Sequence, residues 1–123
     1  DGAHFPTAVL TDITPDMAAY REELFGPVGT VYRAKDVEDA IRIANDSPYG
    51  LGSIMVCEDE NLALEVAAKL DTGMVYINEV GGESAELPFG GVKNSGYGRE
   101  LGPVGIQDFV NKKLIRFKDK AAN

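Results

Sequence analysis

The chain reads as an α/β protein, a parallel sheet with flanking helices. Three observations predict it. A strand–helix–strand–helix–strand rhythm runs from residue 28 to residue 78. Inside it, Val37, Ala40, Ile41 and Ala44 fall at i, i+3, i+4 and i+7, a stripe along one helical face. The run 51–57, with Ile54, Met55 and Val56, is a short apolar stretch of the kind a buried strand carries. Strands joined through helices lie parallel and need right-handed crossovers.

The elements follow in order. Thr7-Ala8-Val9-Leu10 is β-prone and is followed by the turn formers Thr14-Pro15-Asp16. Residues 17–24 form a short helix that Gly26-Pro27 stops. Val28, Val31 and Tyr32 make 28–33 a strand. Asp36 is a good N-cap for the striped helix, which Asp46-Ser47-Pro48-Tyr49-Gly50 ends. After the strand 51–57, Asp59 or Asn61 caps a second helix in which Leu62, Val66 and Leu70 share a face, with Gly73 as a left-handed stop. Residues 75–78 are the third strand. The rhythm then breaks into a glycine-rich loop over 79–100, and a loop of that length in a compact domain is commonly functional. Residues 104–110 form a short helix and 113–117 a last strand.

Composition narrows the function. A chain of 123 residues with 44% apolar content is one domain's worth of polypeptide. Its net charge of −8 and scattered basic residues exclude a nucleic-acid binder, since phosphate neutralisation needs clustered Lys and Arg. No apolar run reaches the roughly 20 residues that span a bilayer. A single cysteine, Cys57, and a single histidine, His4, exclude a thiolate–imidazole zinc site, so no metal is expected. One cysteine also fits a reducing compartment, and the expected location is the cytoplasm. The chain opens Asp-Gly-Ala-His without an initiator Met, which fits a segment of a longer polypeptide.

The segment Glu22-Glu23-Leu24-Phe25-Gly26-Pro27-Val28 carries the chemistry of interest. An ionised carboxylate accepts at about four lone-pair sites and suits a vicinal diol. A phenyl ring two residues on supplies a flat apolar wall. A ribose attached to a flat ring offers both partners. Solvated helix-end charges beside a core Phe remain the alternative from these residues alone. The glycine-rich loop lacks both Gly-x-x-x-x-Gly-Lys-Ser/Thr and Gly-x-Gly-x-x-Gly, so it is no phosphate cradle. Cys57 ends an apolar strand without surroundings that favour a thiolate, and reads as structural.

With Pro88-Phe89-Gly90-Gly91-Val92-Lys93-Asn94-Ser95-Gly96-Tyr97-Gly98-Arg99-Glu100 in place some sixty residues later, the chain resembles the last part of an aldehyde dehydrogenase. The similarity runs from about residue 9 to 117. In that family the Glu matching Glu23 binds the nicotinamide ribose hydroxyls and the Phe matching Phe25 packs beside the nicotinamide ring. The residue matching Phe89 lines the substrate tunnel. Ser84 falls near a serine that holds the substrate carboxylate in some members. Lys93, Arg99 and Glu100 are given structural roles. The runs Thr72-Gly73-Met74-Val75-Tyr76-Ile77-Asn78-Glu79 and Ser95-Gly96-Tyr97-Gly98-Arg99-Glu100-Leu101-Gly102 look most like the succinate-semialdehyde branch. The polar loop 79–87 disfavours a purely hydrocarbon substrate, although Glu79, Glu83 and Glu86 would repel a carboxylated one if they faced it.

The resemblance implies a partial aldehyde-dehydrogenase catalytic domain over 1–112 and an oligomerisation strand with its tail over 113–123. The complete enzyme would oxidise an aldehyde with NAD or NADP through a cysteine thioester, a glutamate base releasing the acid. Nucleophile, base and cofactor domain lie outside this segment, so no catalytic residue is expected here and the segment alone should be inactive. A small-molecule aldehyde and further copies of the chain are the expected partners. A non-catalytic oligomerisation module on the same scaffold is the alternative from another class, and reductase or acylating chemistry a third.

Overall fold

The computed structural model describes residues 2–82 and 84–117. Glu83 and residues 118–123, the end of the expected oligomerisation segment, lie outside them. Two parallel strand pairs form the scaffold. The first joins β1 (Ala8–Leu10) to β2 (Val28–Thr30), with the single turn α1 (Ala18–Arg21) between them. The second joins β4 (Gly52–Met55) to β5 (Met74–Ile77) across helix α3 (Glu60–Lys69). Helix α2 (Val37–Asn45) links the two halves. The parallel α/β character therefore holds, but as separate two-stranded pieces among the described residues.

Local chemistry explains the helices. Asp36 accepts the Asp39 amide at 2.8 Å and starts α2. Of the two candidate caps for α3, Asp59 is used, accepting the amides of Asn61 and Leu62 at 2.9 and 3.1 Å. Both carboxylates satisfy donors that have no partner inside the helix. Asp59→Ala should cost about 1 kcal/mol and speed exchange of the Asn61 and Leu62 amide protons about fivefold. Unchanged exchange at these two sites would deny the carboxylate its capping role. On the exposed faces Asp39 pairs with Arg42 and Glu65 with Lys69, each at 2.7 Å. Those partners hold the Asp39 and Glu65 carboxyls below the usual carboxylate range.

Several expected boundaries move. The helix expected over 17–24 is only α1, because the backbone turns extended at Glu22 and then bends through a positive φ at Phe25 before β2. The helix expected over 104–110 starts earlier, as α4 (Gly102–Gly105), and tightens into a 3₁₀ turn (Ile106–Asp108). Gly73 is not in a left-handed conformation, and α3 ends instead on extended Leu70. Gly73 is small for a different reason: a Cβ there would sit 1.9 Å from the Gly90 carbonyl oxygen. No strand forms over 113–117 within this chain, where Leu114, Ile115 and Phe117 stand exposed.

An antiparallel pair was not anticipated. β3 (Tyr49–Gly50) pairs with β6 (Val92–Lys93), so the glycine-rich loop folds back onto the entry to β4. The core is thin: among the described residues only Ala63 and Val66 are buried apolar side chains. The accessible surface is 10139 Å² for 13.2 kDa, against about 6,400 Å² for a compact monomer of that mass. Large apolar side chains such as Phe25, Val56, Val80, Leu114 and Phe117 stand exposed.

Candidate functional site

Glu23 sits on the extended link between α1 and β2, a segment fixed at its far end by the Ala8 amide donating to the Pro27 carbonyl at 3.0 Å. It lines two open clefts. One, of about 380 Å³, is walled by Tyr20, Thr30, Tyr32, Pro48 and Tyr49. The other, of about 580 Å³, is walled by Ser47, Tyr49, Gly50, Ser53, Thr72, Asn94 and Ser95. No side-chain hydrogen bond or ion pair engages Glu23 among the described residues, so its carboxylate is free to accept from a ligand. Phe25 is 90% exposed, has a positive φ of 44°, and lines neither cleft. Positive φ on a bulky residue is uncommon and stores strain. The expected pairing of Glu23 with Phe25 in one cleft is therefore not made within this chain.

Phe89 lies in a third cleft, of about 340 Å³, with Leu51, Gly91, Ser95, Tyr97 and Phe109. Leu51 and Ser95 line this cleft and the larger Glu23 cleft alike, so the two adjoin. The loop is held by its backbone and by Arg99. Phe89 and Glu100 exchange two amide–carbonyl bonds of 2.8 Å. Arg99 donates to the Gly91 and Gly98 carbonyls at 2.9 and 2.7 Å, and its amide donates to Asp108 at 2.9 Å. Ser84 lines none of the three clefts; its hydroxyl accepts the Glu86 amide in a local turn at 3.4 Å.

Cys57 is half-buried at the end of β4 and tied into the backbone. Its amide donates to the Asn78 side chain at 2.8 Å, which donates back to the Cys57 carbonyl at 2.7 Å. Its thiol donates to the Asp59 carbonyl at 3.3 Å. Among the described residues no group of His, Cys, Asp and Glu could hold a metal, and no helix is long and apolar enough to cross a membrane.

Electrostatics concentrate behind Glu23, at the end of α2. Asp46 accepts the Tyr20 hydroxyl at 2.6 Å and pairs with Arg21 at 3.2 Å. The Tyr20 hydrogen bond, then Arg21, holds the Asp46 carboxyl below its ordinary value, and the same bond raises the Tyr20 phenol. Ser47, Tyr49 and Thr72, read in the sequence only as a helix stop and part of a family run, wall the larger cleft. The alternation Gly50-Leu51-Gly52 was the available signal, because glycines at strand entry mark close backbone approach.

Comparison with known proteins gives a consistent answer. The family model described as the aldehyde dehydrogenase family matches residues 1–115. A succinate-semialdehyde dehydrogenase (NADP(+)) of Deinococcus radiodurans is 55% identical over 115 residues, 94% of this chain and 24% of that protein. The succinate semialdehyde dehydrogenase (NAD(P)+) Sad of Escherichia coli K12 is 44% identical over 97% of this chain and 26% of its own length. The crystal structure of a succinic semialdehyde dehydrogenase from Streptococcus pyogenes in complex with NADP+ superposes with a TM-score of 0.82, at 46% identity, over 90% of this chain and 24% of that one. The chain thus spans about a quarter of the length of these relatives.

Proposed function

Since the chain belongs to the aldehyde dehydrogenase family, we propose that it supplies part of the cofactor and substrate walls of an NAD(P)+-dependent enzyme oxidising succinate semialdehyde or a similar polar aldehyde. The observation that carries this is the adjacency of the Glu23 cleft to the Phe89 cleft through Leu51 and Ser95. A coenzyme ribose held by Glu23 would then lie beside an aldehyde walled by Phe89, and holding reactants together supplies much of the rate of a hydride transfer. Glu23 supports the reading by offering unengaged acceptors to a ribose diol, whereas Phe25 is exposed outside both Glu23 clefts and would meet nicotinamide only in the assembled enzyme. When bound, NAD(P)+ supplies the hydride acceptor.

In this proposal the chain binds and orients, and does no covalent chemistry. Its one cysteine is tied into the backbone beyond β4, and nucleophile and base are proposed to lie outside this segment of a longer chain. Ser84 is proposed as a contact for the substrate carboxylate. Residues 113–117, with exposed Leu114, Ile115 and Phe117, are proposed to pair with another chain, as an open strand edge does. Purified, the 123 residues should show no aldehyde-dependent NAD(P)H formation. Put in place of the matching quarter of the Deinococcus radiodurans relative, they should give a chimaera that oxidises succinate semialdehyde. Turnover by the segment alone would sink the first expectation, and a folded but inert chimaera the second.

A further inference from the structure

We infer that the C-terminal end of α2, residues 45–47, is a polar latch that holds the Glu23 segment and the glycine-rich loop as one unit, with Asp46 and Lys93 as its positioning residues. This deepens the proposed function, because the latch sets the relation between the walls of that site.

A helix ends with carbonyls that have no partner inside it and with a partial negative charge. Here those carbonyls are claimed by cations from two directions. From the Glu23 side, Arg21 donates to the Asp46 carbonyl at 2.5 Å and pairs with its carboxylate, beside the Tyr20 hydroxyl. Both residues immediately precede Glu22-Glu23. From the loop side, Lys93 donates to the carbonyls of Asn45 and Ser47 at 2.9 and 3.2 Å. Its ammonium also meets Asp71 at 3.2 Å, and its side chain is only 21% exposed.

Further bonds stiffen the junction. The Asn45 amide group donates to the Lys69 carbonyl and accepts the Asp71 amide, at 2.8 and 2.7 Å, joining the ends of α2 and α3. The Asn94 amide donates to the Pro48 carbonyl at 3.1 Å, and the Gly50 amide to the Ser95 hydroxyl at 3.0 Å. Lys93 holds a positive φ of 56°, an uncommon conformation that its three polar partners help to fix. Without the latch, the loop keeps its β3–β6 pairing and its bonds to Pro48 and Gly50, but the Glu23 segment loses the Tyr20 and Arg21 bonds that tie it to the end of α2. The charged groups at the junction include Arg21, Arg42, Asp46, Asp71 and Lys93, with the Tyr20 phenol.

The test uses the chimaera carrying this chain, with Asp46→Ala, Lys93→Met, the double variant and Lys93→Arg. Hydrogen exchange read by mass spectrometry needs only a folded protein. Asp46→Ala should speed exchange over 92–96, and Lys93→Met over 18–25, each loosening the opposite arm while β4 and β5 stay protected. In turnover, Asp46→Ala should raise KM for NADP+ roughly tenfold, the scale of losing charged hydrogen bonds, and raise KM for the aldehyde by a smaller factor through the loosened Ser95–Gly96 wall. Lys93→Met should raise both, and Lys93→Arg should restore most of the loss. The double variant should be no worse for NADP+ than the poorer single one. Exchange changes confined to each variant's own arm, or single effects that multiply to within about twofold in the double variant, would overturn the latch. An inert but folded chimaera counts against the proposed function alone, since exchange still reads the coupling between arms.

Discussion

Gly73→Ala in the chimaera should lower kcat/KM about a hundredfold, the scale on which a displacement of about 1 Å in a catalytic wall is felt. The added Cβ would lie 1.9 Å from the Gly90 carbonyl oxygen and 2.8 Å from the Gly90 carbonyl carbon and the Gly91 Cα. All three are backbone atoms, so no side chain can swing aside. The Gly73 amide also donates to the Gly50 carbonyl at 3.0 Å, which pins it from the other side. Relief must come from moving the loop that carries Phe89. Forcing volume into such a contact costs about 1–3 kcal/mol, occasionally more, so the melting temperature should fall together with activity. Gly29→Ala is the control, because a Cβ there meets nothing within 4 Å, and it should leave both quantities near the parent. A Gly73→Ala chimaera with parental activity would mean that the glycine loop does not lie against β5 in the working enzyme.

Much of the fold was legible, for local reasons. The α2 stripe and the carboxylates Asp36 and Asp59 speak through helical spacing and capping, which a single sequence displays. Strands 52–55 and 74–77 fell within or beside their expected runs because apolar β-formers have few other uses there. What stayed hidden depends on contacts distant in the chain. The pairing of Tyr49 with Lys93 spans the whole β4–α3–β5 unit, and two-residue strands carry no periodicity to detect. Gly73 was assigned the commonest use of a glycine after a helix, when its neighbour was a second backbone in the loop. Glu23 and Phe89, singled out through motifs, line adjoining clefts. Phe25 and Ser84 line none of the three, and Ser47, Tyr49 and Thr72 were not read as polar walls.

Glu23→Gln should lower kcat/KM for NAD(P)+ in the chimaera by about 10- to 100-fold, with little change in melting temperature. Glutamine keeps the shape but gives up the charge and replaces one acceptor oxygen with an NH2 donor, so the two-oxygen acceptance of the ribose diol is lost. A hydrogen bond to an ionised group is worth about 1.5–3 kcal/mol, which sets that range. Stability should hold because the Glu23 carboxylate supports nothing else: it is exposed and without a protein partner among the described residues. Glu22→Gln is the matched control, since Glu22 lines the smaller cleft and not the one shared with Asn94 and Ser95. A coenzyme analogue lacking the nicotinamide-ribose hydroxyls separates a direct contact from a general electrostatic effect. If Glu23 acts on the diol, parent and Glu23→Gln should handle the analogue equally, the two changes removing one interaction. If the variant stays equally impaired with the analogue, Glu23 acts elsewhere, and the ribose assignment is wrong.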